Sequence, residues 1–456
     1  MSIVHSTDSP ATPLIVLVAS EAAAGISKLD ATTREWLAAN EYKAKAGSHI
    51  AVPAADGKLR AVIVSVEDDN DPFGLGGLPF ALPGGAYAIS PEGAALRPAA
   101  AVIGWGLGSY EFTRYRKPRS AATLVMADSP EVRKALATVA ATRTVRDLVN
   151  TPAEDMGPQH LSDAARALAN AHGARFHEIA GDDLLTENFP AIHAVGRASH
   201  RPPRIIEFEW GDPSHPRIAL VGKGVCFDTG GLDIKTADGM RQMKKDMGGS
   251  AHVLGIAQLI MTLKLPVRLH AVFGAVENAI AGNAYRPGDI VPTRKGLHIE
   301  IGNTDAEGRV VLSDALTYAA ESAPKLIIDF ATLTGAARVA LGPELPATYA
   351  NDDTWFAKLE AASKQTRDPL WRMPLWQPYN AMIKSSIGDI VNTGGAQAGS
   401  VTAALFLEHF VPTELPWIHI DLFAWNPKAR PGRPEGGEAQ TLRAVVAMLE
   451  GAYCPP

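Results

Sequence analysis

The chain has 456 residues, of which 46% are hydrophobic and 20% are charged; these proportions are typical of folded globular proteins, and the length predicts two or three domains. The formal net charge of -6 offers no overall attraction to nucleic acid or anionic membranes, and two cysteines are too few for a disulfide framework. No stretch approaches the roughly 20 apolar residues of a membrane span. We therefore expect a soluble, cytoplasmic protein without a membrane partner.

Residues 1–127 hold little recognisable chemistry and predict an N-terminal α/β accessory domain. Its candidate strands are the apolar runs Leu14 to Ala19, Leu59 to Val66 and Ala99 to Gly104.

A connecting helix is predicted for residues 128–150. Ser129, Pro130 and Glu131 fit an N-cap, a first-turn proline and an acid at the positive end of a helix. Pro152 follows the predicted end of the helix.

Residues 151–456 alternate short apolar strands with longer helical stretches, which predicts helices packed on a mixed, largely parallel sheet in a larger catalytic α/β domain. The run from Ser250 to Leu263 is too apolar on all sides for a surface helix. The candidate strands are Ile205 to Phe208, Ile218 to Val221, Val267 to Ala275, Leu297 to Ile301, Leu326 to Phe330 and Trp417 to Leu422.

Polar residues follow several of these strands, where open α/β sheets place their sites. The glycine-rich segment 221–231 contains Lys223 and Asp228, which are either site residues or a surface ion pair on a turn. Asp246 directly precedes the apolar helix and is either a metal ligand or a solvated cap. The neighbouring Lys244 and Lys245 are expected to be solvated.

Asp305 and Glu307 stand two residues apart in the segment 303–309. In an extended chain both would point to one side, where they repel each other unless a cation or a proton intervenes. A metal is one answer, and a salt bridge with Arg309 is the other. Gly308 relieves crowding at this point.

Taken together, the carboxylates of Asp228, Asp246, Asp305 and Glu307 balance the charge of two divalent cations. No cluster of histidine and cysteine with metal-ligand spacing competes with them. Oxygen ligands suit Mn, Mg or Zn, and a two-metal site activates water and stabilises the charge that develops on an attacked carbonyl.

These segments resemble the leucine aminopeptidases, the hexameric two-metal peptidases. The family signature N-T-D-A-E-G-R stands at Asn303 to Arg309. Four further segments follow the family order: V-G-K-G-x-x-F-D-T-G-G from Val221, I-K at Ile234 and Lys235, M-x-x-D-M-G-G from Met243, and A-T-L-T-G from Ala331. The resemblance extends from about Asp147 to Leu449.

The resemblance implies two divalent metal ions per subunit, Mn or Zn. One would be held by Lys223, Asp228, Asp246 and Glu307, and the other by Asp228, Asp305 and Glu307, with the main-chain carbonyl of Asp305. Lys223 would coordinate as a neutral amine.

Catalytic roles are implied for two further residues. Lys235 would polarise the scissile carbonyl, and Arg309 would hold a bicarbonate ion that transfers a proton. The substrate's free amine would bind a metal, which restricts cleavage to the first residue of short peptides.

The pocket for that residue would be lined by Met243, Thr332, Leu333 and Gly335. Phe423 stands where better-known members have an Ala-Gly pair followed by methionine, which predicts a reshaped pocket wall. The family assembles as a dimer of trimers, so a homo-hexamer is implied.

Two other functions remain open at this stage. Some family members bind DNA, for which this chain offers only the short basic cluster Arg114, Arg116, Lys117 and Arg119. A two-metal phosphoesterase would also use paired carboxylates. The composition argues against nucleic acid, and the resemblance favours the aminopeptidase.

Overall fold

The computed structural model describes residues 3–5 and 11–454. They form two compact units: residues up to 143 together with 426–435, and residues 144–425 together with the segment from 436 onward. The boundary at 143/144 lies within the long helix 130–150. Domains at 1–127 and 151–456, joined by a connector at 128–150, stay a prediction.

The strands and helices follow one another along the whole chain. The strands are β1 (Ile3–His5), β2 (Thr12–Val18), β3 (His49–Pro53), β4 (Leu59–Val66), β5 (Ala86–Ile89), β6 (Thr123–Met126), β7 (Arg175–Ala180), β8 (Arg204–Trp210), β9 (Arg217–Asp228), β10 (Arg268–Asn278), β11 (Ile290–Pro292), β12 (His298–Glu300), β13 (Leu326–Ala331), β14 (Ala347–Ala350), β15 (Trp371–Arg372), β16 (Ile390–Val391), β17 (Trp417–Asp421), β18 (Trp425–Asn426) and β19 (Gly436–Gly437). The α-helices are α1 (Ala22–Ser27), α2 (Ala31–Ala39), α3 (Pro98–Gly108), α4 (Pro130–Asn150), α5 (Pro158–Ala171), α6 (Asp183–Thr186), α7 (Pro190–Gly196), α8 (Ala237–Met240), α9 (Gly248–Leu263), α10 (Glu307–Glu321), α11 (Gly335–Leu341), α12 (Asp353–Thr366), α13 (Gly399–Glu408) and α14 (Leu442–Tyr453). Short 3-10 helices cover Ala19–Glu21, Ala153–Asp155, Met243–Met247 and Gln377–Ile383.

The first unit is built on a six-stranded sheet in the order β1-β6-β5-β2-β4-β3. Only the β3–β4 pair is antiparallel among the paired strands described. Alternate residues of β2 enter different apolar clusters: Leu14 and Val16 pack on one face, and Ile15 and Leu17 on the other. This period of two is what a strand covered on both faces requires.

The second unit contains an eight-stranded sheet in the order β15-β14-β17-β13-β9-β10-β8-β7. Its central strands β17, β13, β9 and β10 are parallel, whereas β14, β8 and β7 join through antiparallel pairs. Helix α9 packs against β9 and β13 and is buried along nearly its whole length. The predicted mixed, largely parallel sheet is therefore confirmed.

Most predicted elements appear with small shifts of their ends. The Ser129 hydroxyl accepts a hydrogen bond from the Val132 amide at 3.2 Å, as expected of the residue that caps α4. The strand predicted at Ala99 to Gly104 is wrong, because these residues lie in α3. The run of small apolar residues has no period of its own, and Pro98 opens a helix there rather than a strand.

The basic cluster of the first unit is partly neutralised. Arg116 and Arg119 both pair with Glu111, and the Arg119 guanidinium lies 3.9 Å from the centre of the Phe80 ring. Across the described ranges, no helix is both long and apolar enough to cross a membrane.

Candidate metal centre

The predicted site residues all line one cavity of about 340 Å³ in the second unit. It opens at the carboxyl ends of the parallel strands: Asp228 ends β9, Thr332 follows β13, and Phe423 lies two residues beyond β17. This is the edge at which open α/β sheets place their ligands. The cavity is therefore a consequence of the sheet topology.

Three carboxylates converge in this cavity. One oxygen each from Asp228, Asp305 and Glu307 lies within 4.8 Å of the other two. The extended conformation predicted for Asp305 and Glu307 is wrong, because Asp305 lies in a turn and Glu307 is the first residue of α10. The turn into the helix still brings both carboxylates to one place, with Glu307 near the positive end of the helix.

Lys223 inserts between the carboxylates from the middle of β9. Its Nζ atom lies 2.7 Å from Oδ2 of Asp246, 2.9 Å from Oε1 of Glu307 and 3.1 Å from the carbonyl oxygen of Thr332. Lys223 is 2% exposed, Asp246 2% and Glu307 1%. A Cβ atom on Gly308 would approach Cε of Lys223 to 2.5 Å, so a larger residue would displace the Lys223 side chain from these contacts.

Further hydrogen bonds orient the carboxylates. Oδ1 of Asp228 accepts from the Gly230 amide at 2.8 Å and from the Asn278 side chain at 2.9 Å. Oδ1 of Asp246 accepts from the Thr332 hydroxyl at 2.8 Å. In each residue these hydrogen bonds hold one oxygen, and the second lies beside a lysine nitrogen: Oδ2 of Asp228 is 2.8 Å from Nζ of Lys235, and Oδ2 of Asp246 is 2.7 Å from Nζ of Lys223. Neighbouring residues orient metal ligands by hydrogen bonds of this kind.

The carboxylates of this site lie close enough to repel one another, which favours the binding of cations. Burial, followed by repulsion from Asp228, raises the pKa of Glu307 to about 8 and that of Asp305 to about 6. Burial lowers the pKa of Lys223, but Asp246, Glu307 and Asp228 outweigh it and raise that pKa above its ordinary value. If Nζ of Lys223 coordinates a metal ion, the ammonium group must first lose a proton. Carboxylate oxygens held this close fit divalent cations.

Lys235 and Arg309 line the same cavity. Nζ of Lys235 is 2.8 Å from Oδ2 of Asp228 and also contacts Oδ1 of Asp305. Nη1 of Arg309 donates to the carbonyl oxygen of Asn392 at 2.8 Å, and its Nε has no hydrogen-bond partner among the described residues. The alternative of a salt bridge from Arg309 to Asp305 or Glu307 is absent from the described structure.

The cavity is also lined by Met243, Thr332, Leu333, Gly335 and Phe423, whose role as a substrate pocket stays a prediction. The expectation that Lys245 is solvated is wrong, since this residue is 3% exposed. Lys245 lies in the 3-10 helix that precedes α9. A 3-10 helix has three residues per turn, so successive side chains point inward as well as outward.

Several residues of the site were not anticipated. Arg338 and Lys245 line the cavity, and Asn278 and Asn392 hold its loops. Arg338 stands three residues after Gly335 in α11, a helical spacing that places both on one side. That spacing was the available signal; the two asparagines carry none in the sequence.

Comparison with known proteins agrees with this geometry. Residues 143–446 match the model described as the cytosol aminopeptidase family, catalytic domain, and residues 12–127 match the M17 aminopeptidase N-terminal domain. A probable cytosol aminopeptidase of Syntrophotalea carbinolica is 41% identical over 386 residues, covering 80% of this chain and 78% of the relative. One of Xanthobacter autotrophicus is 36% identical and covers 92% of each chain.

Solved structures are similar over nearly the entire length. The cytosol aminopeptidase of Coxiella burnetii superposes with a TM-score of 0.95 at 47% identity, covering 99% of both chains. The bottromycin maturation enzyme BotP in complex with Mn gives a TM-score of 0.86 at 30% identity, again over 99% of both chains. The chain therefore belongs to the cytosol aminopeptidase family of metal-dependent exopeptidases, and it is an aminopeptidase.

Proposed function

We propose that this aminopeptidase removes the first residue of short peptides at a centre that binds two divalent cations, Mn or Zn. The observation that carries the proposal is the convergence of Asp228, Asp305 and Glu307 within 4.8 Å, with Asp246 and Lys223 beside them. The related BotP was solved in complex with Mn, which supports a divalent cation as the ligand of this chain.

One cation would be held by Lys223, Asp228, Asp246 and Glu307. The other would be held by Asp228, Asp305 and Glu307, with the main-chain carbonyl of Asp305. When bound, the cations would supply Lewis acidity toward the attacked carbonyl and make a nearby water more nucleophilic.

The chain's own side chains would position the reacting groups. Lys235 donates from Nζ at the mouth of the carboxylate cluster, where a hydrogen bond to the peptide carbonyl oxygen would stabilise its developing negative charge. Arg309 keeps its Nε free of described partners, and that donor would hold a bicarbonate ion that accepts the proton of the water.

The pocket for the first side chain would be formed by Met243, Thr332, Leu333, Gly335 and Phe423. They line the same cavity as the carboxylates, and Met243, Leu333 and Phe423 supply its apolar surface. A free amine at the metals would then make the enzyme an exopeptidase.

The assembly and location follow the family. We propose a homo-hexamer, supported by the exposed apolar side chains of Trp371, Trp376 and Ile387 in the second unit. We also propose a cytoplasmic location, supported by the free thiols of Cys226 and Cys454. Light scattering of the purified protein tests the assembly: a monomer at micromolar concentration contradicts it.

Metal stoichiometry tests the two-cation centre. We expect titration calorimetry of metal-depleted protein to give two equivalents of Mn or Zn. Asp305→Asn should remove one equivalent, Asp246→Asn the other, and Glu307→Gln should weaken both. A single equivalent in the unaltered protein contradicts the proposal.

A further inference from the structure

The pocket holds two cations that the proposed function does not use. Nζ of Lys245 lies 5.3 Å from the centre of the Phe423 ring, and the guanidinium carbon of Arg338 lies 4.7 Å from the same ring centre. All three residues line the cavity that contains the carboxylate cluster. Two like charges over one ring repel each other, and an anion between them would remove that cost.

Lys245 is buried without a hydrogen bond. It is 3% exposed, and among the described residues its Nζ forms an ion pair with Asp246 but no hydrogen bond. The nearest carboxylate oxygen, Oδ1 of Asp246 at 3.6 Å, already accepts from Thr332. A buried ammonium without hydrogen bonds is costly, so its position on the cavity wall indicates a partner that enters from the cavity.

Arg338 faces the same space from the last turn of α11. Within the described residues it forms neither an ion pair nor a hydrogen bond, and its guanidinium lies over the Phe423 ring. A guanidinium is charged at every physiological pH, and its planar array of donors suits a carboxylate. Arg338 therefore supplies a permanent positive charge at the pocket.

Apart from the 3.6 Å ion pair between Lys245 and Asp246, the carboxylates of the cavity are engaged elsewhere. Asp228, Asp246, Asp305 and Glu307 surround Lys223 and Lys235 and are the proposed metal ligands. The fifth acid, Asp421, accepts hydrogen bonds from the amides of Leu333 and Thr334 and from the Thr334 hydroxyl. None of these carboxylates hydrogen-bonds Lys245 or Arg338 in the described structure, which leaves both cations able to bind an anionic group of the substrate.

We propose that Lys245 and Arg338 make the pocket selective for peptides whose first residue is glutamate or aspartate. The aliphatic part of such a side chain would lie along Phe423, and its carboxylate would lie between the two cations. This selectivity rests on the proposed aminopeptidase centre, because that centre fixes which substrate side chain enters the pocket.

The test compares kcat/KM for the glutamyl, glutaminyl and leucyl anilides in the Mn-loaded enzyme. Glutamine has the shape of glutamate without its charge, and an anilide has no C-terminal carboxylate. We expect the glutamyl substrate to exceed the glutaminyl one by about tenfold or more, as a hydrogen-bonded charge pair would give.

Variants of Arg338 and Lys245 test whether these two residues cause the preference for the glutamyl anilide. Arg338→Met and Lys245→Met should each lower the glutamyl-to-glutaminyl ratio by about tenfold, with less effect on the leucyl anilide. Arg338→Glu should shift the preference toward lysyl anilide. Lys358→Met removes a surface cation over Trp355 on α12 and should leave every ratio unchanged. Arg338 is exposed, so its variants carry the test even if Lys245→Met fails to fold.

Each other outcome overturns the selectivity in a distinguishable way. Leucyl hydrolysis with equal glutamyl and glutaminyl rates removes the selectivity and leaves the aminopeptidase centre standing. If both variants keep the preference for the glutamyl anilide, Lys245 and Arg338 are not its cause. If the variants change only the ratio of dipeptide to dipeptide amide, the bound anion is the C-terminal carboxylate. No hydrolysis of any anilide with Mn or Zn removes both proposals.

Discussion

Nζ of Lys223 lies 2.7 Å from Oδ2 of Asp246, with both side chains buried, yet this oxygen has no hydrogen bond among the described residues. Oε1 of Glu307 is in the same position, 2.9 Å from the same nitrogen. The distances show an ion pair, but the angles leave both oxygens without a hydrogen bond. Carboxylate oxygens without hydrogen bonds are able to coordinate a metal ion, which binds oxygen atoms at its own preferred distances and angles.

The first prediction concerns Lys223. Lys223→Met should lower the unfolding free energy of the metal-depleted protein by about 3 kcal/mol, because buried carboxylates lose their cation. It should also lower the affinity for the cation held by Asp246. Chemical denaturation with and without Mn measures both effects, and Lys358→Met is the control. Unchanged stability and metal affinity would contradict the assigned role.

The second prediction concerns the hydrogen bond from Thr332 to Asp246. Thr332→Val keeps the shape of the side chain and removes the donor at 2.8 Å from Oδ1. We expect metal affinity to fall about tenfold, as for other residues that orient ligands. Calorimetric titration measures it. Thr334→Val, whose hydroxyl donates to Asp421, should leave metal affinity as it is; equal losses in both variants would show a general disturbance.

The third prediction concerns Arg309. Arg309→Met should remove any stimulation of the rate by bicarbonate and lower kcat by about 100-fold, because the anion would no longer be held for proton transfer. Metal content should stay unchanged, since Arg309 contacts Asn392 and no carboxylate of the described cluster. Rates in bicarbonate-free buffer with added bicarbonate measure this. A variant that bicarbonate stimulates as strongly as the unaltered enzyme would exclude the role.

The fourth prediction concerns acid stability and His252. Nδ1 of this residue donates to the Gly248 carbonyl oxygen at 2.6 Å, and Nε2 accepts from the Gln440 amide at 2.9 Å, so the buried ring is neutral. Burial lowers the pKa of His252 to about 4 from an ordinary 6.5. The unfolded chain therefore takes up the proton first as the pH falls. The stability that the neutral His252 ring contributes is complete above pH 6.5 and is lost as the pH falls from 6.5 to about 4.

Denaturation at pH 8 and pH 5 measures this contribution. Between these pH values the unaltered protein should lose about 2 kcal/mol more unfolding free energy than His252→Gln, which has no titrating ring. Both proteins should be compared in the same metal-free buffer, so that ionisation of the carboxylate cluster is common to the two. Equal losses would show that His252 does not carry the effect.

The sequence anticipated the elements whose pattern is local. The apolar run of β4, the cap at Ser129 and the unbroken apolarity of α9 each follow from short-range preferences, and each is present. The stretch Ala99 to Gly104 failed because small apolar residues suit a buried helix as well as a buried strand. Tertiary packing decided between them.

The site residues predicted from the family segments line one cavity, and their roles stay predictions. Residues outside those segments were missed. Asn392 binds the amides of Gly302 and Asn303 and the carbonyl oxygens of Asn303 and Ala306, and so holds the turn that carries Asp305. It lies far from that turn in sequence, and an isolated asparagine has no pattern. Lys245 was misjudged because the orientation of a side chain in a short 3-10 helix depends on its neighbours in space.

The most direct measurement is release of the N-terminal residue from dipeptides and amino-acid anilides by metal-depleted protein, before and after addition of Mn or Zn. Asp305→Ala and Glu307→Ala are measured in parallel, and N-acetylated dipeptides serve as the control for the free amine. We expect hydrolysis that requires metal and a free amine, and that both variants lose. Absence of hydrolysis with either metal, or undiminished hydrolysis in both variants, would contradict the two-cation aminopeptidase centre.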